Sequence, residues 1–269
     1  TLPLLAIIGT LAVALLLGAH RQARGSDARE RTSRELRHAA LVLAAELRPL
    51  RSVDLVAWTD TSFDFDVLVG AGIACGTRGT LRAIHLLPAQ RDDPAGTAWI
   101  ASPETLDDVT AWQLAPEPSA PAALVRHTLD RVTPASTCAV SPLQGSTGLG
   151  VTLVLRDSLS RQVEEGTPVR VLRRTRYALY RSSDGFWYLG RRSRDGGTWT
   201  VIQPVVGPLL SAAAGGVSFS VSDEAGSRLA SGGAGAVAMH VGLRAVRGES
   251  GARPESTHVE IALRGHHEP

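Results

Sequence analysis

The sequence predicts an α+β protein in which a long N-terminal helix, apolar at first and then amphipathic, packs on a mostly antiparallel β-sheet body. Residues 2–19 carry no charge, residues 28–47 place apolar side chains at helical spacing, and the rest alternates short strand-like segments with turn residues. We therefore divide the chain into a helix over residues 1–50 and a β-rich body with loop insertions over residues 51–269.

The first element is the uncharged segment from Leu2 to Ala19. A helix needs about 20 apolar residues to cross the hydrocarbon core of a bilayer, and this segment just reaches that length. Pro3 lies in the first turn, where its missing N–H costs nothing. The segment is therefore either a membrane-spanning helix or a helix that neighbouring helices bury on all sides.

The polar residues that follow continue the helix as an amphipathic one. Steps of three and four residues draw one apolar stripe, which consists of Ala28, Thr32, Leu36, Ala39, Leu43 and Leu47. Gly25 and Ser26 form a weak point, and Pro49 marks the end. The pattern predicts nearly one helix over residues 2–48.

The body is predicted to be rich in strands. In residues 63–69, Phe63 and Phe65 face one way, and Asp64 and Asp66 the other way, towards solvent. The clearest hairpin joins residues 169–181 to residues 186–192 through an Asp-Gly turn. Other strands are expected from Trp199 to Val201, stopped by "QPVVGP", and over 216–222, 236–246 and 257–264.

The remaining segments are predicted to be loops and one short helix. Residues 88–120, 141–150 and 230–235 are rich in turn-forming residues and indicate surface loops. Residues 121–131, "PAALVRHTLDR", are predicted to form a short helix after Pro121.

Two cysteines, Cys75 and Cys138, are the whole cysteine content of the chain. No Cys-x-x-Cys pair occurs, so neither a structural zinc site nor a thioredoxin-type site is indicated. In an oxidising compartment the two are predicted to form a disulfide. Two buried thiols are the alternative.

No catalytic, cofactor or metal site is predicted. The glycine cluster at 145–150 has no lysine and is interpreted as a loop, and Asp92-Asp93 as a solvated turn. His85 and His240 are expected to bond locally, and His266 and His267 to lie in a frayed tail. The aromatic residues of the hairpin are predicted to lie in the core. They are Tyr177, Tyr180, Trp187 and Tyr188.

The charge pattern argues against nucleic-acid binding. All 28 basic residues are arginine, they are scattered among 26 acidic residues, and the net charge is +2. Nucleic-acid binding proteins instead cluster basic residues on one face. We therefore expect no nucleic-acid partner.

The start of the chain, "TLPLLAIIGTLAVALLLGAH", resembles the type IV pilin family, which includes the pseudopilins of type II secretion. Thr1, Leu2 and Pro3 match the family's Thr-Leu-Pro start, and Leu4 or Leu5 stands where the family has a glutamate. Thr1 is either the first residue of the mature protein or the second, in which case one residue before it is missing from this sequence. "RELRHAALVLAAELRPL" and "DTSFDFDVLVGAGIACG" are similar to PilW-like or J-type minor subunits.

The resemblance implies a structural subunit and not an enzyme. After a leader peptide is cut off, the helix would hold the subunit in the inner membrane. Residues 1–19 would then pack with other copies, or with other pilins, in the core of an extracellular or periplasmic filament that displays the β-rich body outward. The implied assembly residues are Thr1, Leu2, Pro3, Leu4, Leu5, Leu11 and Leu15.

A single-pass periplasmic binding module with the same membrane anchor, which never polymerises, is the alternative function. Arg21 and Arg24 follow the apolar segment directly. By the positive-inside rule they favour a cytoplasmic body unless a basic leader once preceded Thr1. The precursor sequence would therefore separate the two functions.

Overall fold

The protein is mostly antiparallel β, so the predicted α+β class is wrong. The computed structural model describes residues 2–75, 82–87, 97–113, 123–135, 150–159, 163–230, 235–245 and 254–264, without the side chains of residues 2–12, 21 and 135. Strands contain about twice as many of the described residues as helices do. Strands are the commonest element of the described structure, and the sheet that they form is much larger than a small sheet under one helix.

The described part of the chain contains one α-helix, two short 3₁₀ helices (Ser52–Asp54 and Ala212–Ala214) and fifteen strands. The α-helix is α1 (Leu2–Leu47). The strands are β1 (Leu55–Trp58), β2 (Ser62–Ile73), β3 (Ala83–Leu86), β4 (Ala98–Trp99), β5 (Asp108–Gln113), β6 (Ala123–Ala135), β7 (Gly150–Leu155), β8 (Pro168–Arg181), β9 (Trp187–Asp195), β10 (Thr198–Trp199), β11 (Gln203–Leu209), β12 (Val217–Ser222), β13 (Arg228–Leu229), β14 (Ala238–Ala245) and β15 (Glu255–Ala262).

The helix predicted over residues 2–48 is present as α1, and it runs through Gly25 and Ser26 without a break. Four of the six residues of the predicted stripe are buried, namely Leu36, Ala39, Leu43 and Leu47, whereas Ala28 is exposed and Thr32 is half-buried. Successive turns of a helix bring residues three and four apart to the same side, so the four buried side chains pack together on β11, β14 and β15.

The chain forms two compact units. The first contains residues 1–63, 177–191 and 203–269, and the second contains residues 64–176 and 192–202. The predicted boundary after residue 50 therefore lies inside the first unit. Strands β2, β8 and β9 contribute residues to both units.

In the first unit, β14 lies between β12 and β15 in antiparallel register. Because side chains alternate along a strand, one sheet face is apolar and the other polar. The apolar face is buried and includes Phe219, Val241 and Leu243. The ring of Phe63 packs on that of Phe219, with 6.0 Å between the ring centroids.

In the second unit the strand order closes on itself. Strands β2, β8, β5, β6, β7 and β3 are neighbours in that order. The end of β3 then returns to the end of β2, through an antiparallel bridge between Leu86 and Ala74. The strands enclose an apolar core that includes Ile84, Val109 and Leu153.

Three predictions for the body are wrong in detail. Residues 121–131, expected as a short helix, fall largely in β6, because β5 pairs with residues 123–128 and β7 pairs with β6 from Leu129 onward. Residues 108–113, expected as part of a loop, form β5 with buried Val109 and Ala111. The segment "QPVVGP" does not stop a strand but belongs to β11, whose prolines lie at register shifts.

The predicted hairpin is confirmed as β8 and β9. Gly185 takes φ of +86° in the turn, a conformation that favours glycine. Asp184 holds the turn closed, because its carboxylate accepts from the backbone N–H of Phe186 at 2.9 Å and from the Tyr188 hydroxyl at 2.8 Å. The hydrogen bond from Phe186 and then that from Tyr188 lower the pKa of Asp184.

Candidate functional site

The predicted assembly residues lie at the start of α1, except Thr1, which is outside the described residues. Leu15 is described and is 74% exposed. The other five lie in the helix with side chains outside the described part: Leu2, Pro3, Leu4, Leu5 and Leu11.

We call residues 13–19 the exposed apolar segment. Val13, Leu15, Leu16 and Leu17 are 56%, 74%, 70% and 52% exposed. Ala14 between them is exposed too. Each helical residue is rotated by about 100° from the one before, so the five side chains together point to all sides of α1. A helix that is apolar all round is normally buried by neighbours, and this segment leaves that surface open to solvent.

A second exposed apolar patch lies on the docked part of α1 and is absent from the sequence prediction. Leu41 is 70% and Val42 40% exposed. Ala45, one turn after Leu41, is exposed too. Leu41 and Ala45 lie about 160° around the helix from buried Leu43, so they face away from the β-strands. We call Leu41, Val42 and Ala45 the outer patch.

The C-terminal end of α1 is held by a polar cluster of Glu46, Tyr177 and Arg191. Arg191 donates to Glu46 Oε1 from Nε at 2.8 Å, and its Nη2 lies 2.7 Å from the same oxygen. The Tyr177 hydroxyl donates to Glu46 Oε2. A carboxylate bound to both a guanidinium and a phenol is a strong anchor, because charge-assisted hydrogen bonds are stronger than neutral ones.

Tyr177 is fully buried. Its burial raises the pKa of the phenol, and the Glu46 carboxylate raises it further. The hydroxyl therefore keeps its proton over the physiological range and remains the donor to Glu46. Near the other end of the docked part, Arg29 pairs with Glu255 on β15 at 2.7 Å. Arg29 is well exposed, so this ion pair adds little to the docking.

In the second unit, Asp64 and Asp66 do not form the predicted solvent-facing side of a strand. Asp66 is fully buried and accepts from Arg126 and Arg174, each at 2.6 Å. Asp64 is mostly buried and pairs with Arg176. Charged side chains on the neighbouring strand β8, and on β6, supply the partners that make burial of these carboxylates tolerable.

Asp108 joins the same cluster. Its Oδ2 accepts from Arg126 at 3.0 Å and lies 3.9 Å from Arg174. The pKa of Asp108 is raised, chiefly because burial disfavours the charged carboxylate and also because the Asp66 carboxylate is close, although Arg126 and Arg174 act in the opposite direction. The cluster therefore has the character of a structural ion network.

The other residues singled out in the sequence fall in three groups. Cys75 is disulfide-bonded, and Cys138 lies outside the described residues. Asp92-Asp93, residues 145–149 and the two C-terminal histidines also lie outside them. His85 bonds to Thr152 at 2.8 Å and His240 to Ser222 at 3.0 Å, as predicted.

No helix in the part of the chain that the structure describes is long and apolar enough to cross a membrane. The predicted transmembrane helix and the predicted inner-membrane localisation are therefore wrong.

No family model, curated protein or solved structure matches the chain. Relatives therefore give no evidence for the predicted place of this chain among pilins and pseudopilins. The resemblance of the N-terminal residues stays a prediction.

Proposed function

We propose that this chain is a structural subunit of a filament of the type IV pilus or type II secretion pseudopilus kind, which assembles through α1. The observation that carries the proposal is the exposed apolar segment. Val13, Ala14, Leu15, Leu16 and Leu17 present exposed apolar side chains around the whole circumference of α1. As the sequence predicts, the helices of several copies would pack together, and the proposed assembly includes no membrane stage.

Association of several copies is the simplest way to cover such a segment. One neighbouring helix buries one side of a helix, so a segment that is apolar all round requires several neighbours. Burying a leucine side chain is worth about 1.5–3 kcal/mol, so four large apolar side chains per copy provide a substantial driving force before entropic costs.

The outer patch gives the neighbouring helices a second place to pack. Leu15 and Leu41 are separated by about 39 Å along α1, at a rise of about 1.5 Å per residue. In a filament, copies staggered along a common axis would each contribute the exposed apolar segment at one level and the outer patch at another. The β-rich body would then lie outside the helices.

The docked half of α1 is suited to transmit force from the helix to the β-strands. Leu36, Leu43 and the contacts of Glu46 hold the helix on the β-strands of the first unit. Pulling on the helix in a filament would therefore load a packed core and a charge-assisted anchor, and not a flexible linker. This supports a mechanical function, with helix packing between copies as the only chemistry required.

The test compares two charge insertions at exposed apolar positions. Leu15→Arg puts a cation into the exposed apolar segment, and Ile100→Arg puts the same cation at a 73% exposed position in the second unit. Sedimentation velocity and negative-stain electron microscopy should show filaments for the wild type and for Ile100→Arg. Leu15→Arg should remain dispersed, because an unpaired charge inside a helix bundle is costly.

Circular dichroism is the control for folding, since both substitutions are at exposed positions and should leave the strand signal unchanged. If Leu15→Arg assembled at the wild-type yield, or if both variants lost assembly equally, the exposed apolar segment would not be the assembly surface.

A further inference from the structure

The first unit contains a solvent-open hollow that the assembly function does not use. It is lined by Trp58, Thr59, Asp60, Arg228, Leu229 and Ala230 and has a volume of about 390 Å³. Ligand pockets for small molecules typically have volumes of about 300–1,000 Å³. The hollow is thus large enough for one or two rings of a small ligand.

The walls of the hollow are held by hydrogen bonds that tie three elements together. The Trp58 indole Nε1 donates to the backbone carbonyl of Leu229 on β13 at 3.3 Å. The backbone N–H of Phe219 on β12 donates to the carbonyl of Asp60 at 3.1 Å. Between them, Thr59 Oγ1 accepts from the backbone N–H of Ser62 at 3.0 Å and closes the turn. A ligand would meet a site that is already ordered, which lowers the entropic cost of binding.

The two charged side chains of the hollow, Asp60 and Arg228, carry opposite charges that sum to zero. Arg228 Nη2 donates to Asp60 Oδ1 at 2.5 Å, and both side chains are largely exposed. Asp60 keeps a second carboxylate oxygen as an acceptor, and the Arg228 guanidinium has five N–H donors in all. An acceptor and donors lie side by side without net charge, so neither an anion nor a cation has an electrostatic advantage here.

We propose that this hollow binds a neutral sugar residue of an oligosaccharide. Adjacent hydroxyl groups of a sugar ring both donate and accept, and they match the Asp60–Arg228 pair. The apolar C–H face of the ring matches the partly buried indole of Trp58, which brings a large apolar surface with a fixed orientation. This binding site is independent of the proposed filament function, because none of its residues belongs to α1.

Ligand-observed saturation-transfer NMR on the full chain tests the proposal, since the method works for assembled and dispersed protein alike. The probes are maltotriose, lactose and N,N′-diacetylchitobiose, with sodium acetate and inorganic phosphate as charged comparisons. Saturation transfer is expected to at least one sugar, strongest at ring C–H protons, and to neither anion. Trp58→Ala should weaken sugar binding by about tenfold, as expected for loss of a central aromatic contact.

Trp112→Ala is the matched control, because Trp112 is a partly exposed tryptophan of the second unit and should leave binding unchanged. Should Trp58→Ala fail to fold, the exposed changes Asp60→Asn and Arg228→Gln replace it, and each is expected to weaken binding. Absence of transfer to all three sugars, preference for the anions, or equal binding by the Trp58 or charge variants and by Trp112→Ala would overturn the proposal.

Discussion

At the scale of single residues, Glu46 ties the C-terminal end of α1 to the β8–β9 hairpin. Its carboxylate is bound by the guanidinium of Arg191 and the hydroxyl of Tyr177, which are 145 and 131 residues away in the chain. From the sequence alone, Glu46 is one polar residue in the last turn of an amphipathic helix. No local sequence pattern indicates the partners of Glu46, because Arg191 and Tyr177 belong to a hairpin that contacts the helix only in the folded state.

Glu46→Gln is expected to loosen the docking of α1. Glutamine keeps the shape but removes the charge, and hydrogen bonds to a charged group are worth about 1.5–3 kcal/mol. We expect the free energy of unfolding to fall by about 2 kcal/mol, measured by urea denaturation followed by circular dichroism. The control Glu30→Gln removes an exposed carboxylate that pairs with Arg34 within the helix, and should change stability little. Equal stability of the two variants would contradict the anchor.

Asp66 and Asp108 are expected to respond in opposite ways to loss of charge. Asp66→Asn leaves Arg126 and Arg174 without their buried partner, and breaking such a pair costs about 3 kcal/mol. Asp108→Asn removes a carboxylate whose pKa burial raises above its ordinary value of 3.8. Thermal unfolding at pH 7 should show a lower midpoint for Asp66→Asn, and an unchanged or higher midpoint for Asp108→Asn.

The pH dependence of the Asp108 effect has a definite sign. A carboxyl with a raised pKa in the folded state binds more protons when folded than when unfolded, so its contribution to stability is lost as pH rises from 3.8 through the raised value. The difference between Asp108→Asn and the wild type should therefore grow in favour of the variant over that rise. If the stability difference between Asp108→Asn and the wild type stayed constant from acid to neutral pH, burial would not raise the pKa of Asp108.

At the scale of elements, local patterns predicted α1 and the β8–β9 hairpin, because both are encoded within short stretches of sequence. An uninterrupted helical stripe and an Asp-Gly turn need no distant partner. Strand β6 was predicted as a helix because "PAALVRHTLDR" contains no decisive period, and pairing with β5 and β7 decides its conformation. Strand β11 was missed because its prolines suggested a stop, although register shifts accommodate them.

Gly25 is the predicted weak point of α1, and its replacement tests whether the helix is continuous. A Cβ at Gly25 would meet no atom within 4 Å, so Gly25→Ala fills open space and removes the entropic cost of a helical glycine. We expect a gain of about 0.5–1 kcal/mol in stability and a stronger helical signal at 222 nm.

Gly70→Ala is the contrasting change on β2. Its Cβ would lie 2.1 Å from the Trp99 ring, so the ring or the strand must move and stability should fall. If Gly25→Ala were as destabilising as Gly70→Ala, α1 would not be a regular helix at residue 25.

At the scale of the whole molecule, the sequence predicted a helix that leads into a strand-rich body, but not how dominant the strands are. The exposed apolar segment was visible in the sequence as part of an uncharged run. The outer patch was not, because Leu41 and Val42 fall outside the stripe and only the docked helix shows that they are exposed. The charge network around Asp66 joins residues 60 and 108 positions apart, which no local spacing could indicate.

The pairing of Cys75 with Cys138 stays a prediction, and mass spectrometry of the unreduced protein tests it. A peptide that joins the two cysteines should appear and disappear on reduction. Closing a loop of this length stabilises a chain by about 4 kcal/mol in the chain-entropy model, so reduction should lower the unfolding midpoint. Alkylation of both cysteines without prior reduction would contradict the pairing.

The central claim is that copies of this chain assemble through α1, and hydrogen exchange measured by mass spectrometry on assembled and dispersed wild-type protein tests it most directly. In the dispersed protein, peptides that cover residues 13–20 should exchange faster than those of β12 and β14, because the segment is exposed. On assembly, exchange should slow in residues 13–20 and around the outer patch, while β12 and β14 stay unchanged. Equal exchange of residues 13–20 in both states, or protection confined to the β-strands, would contradict assembly through the helix.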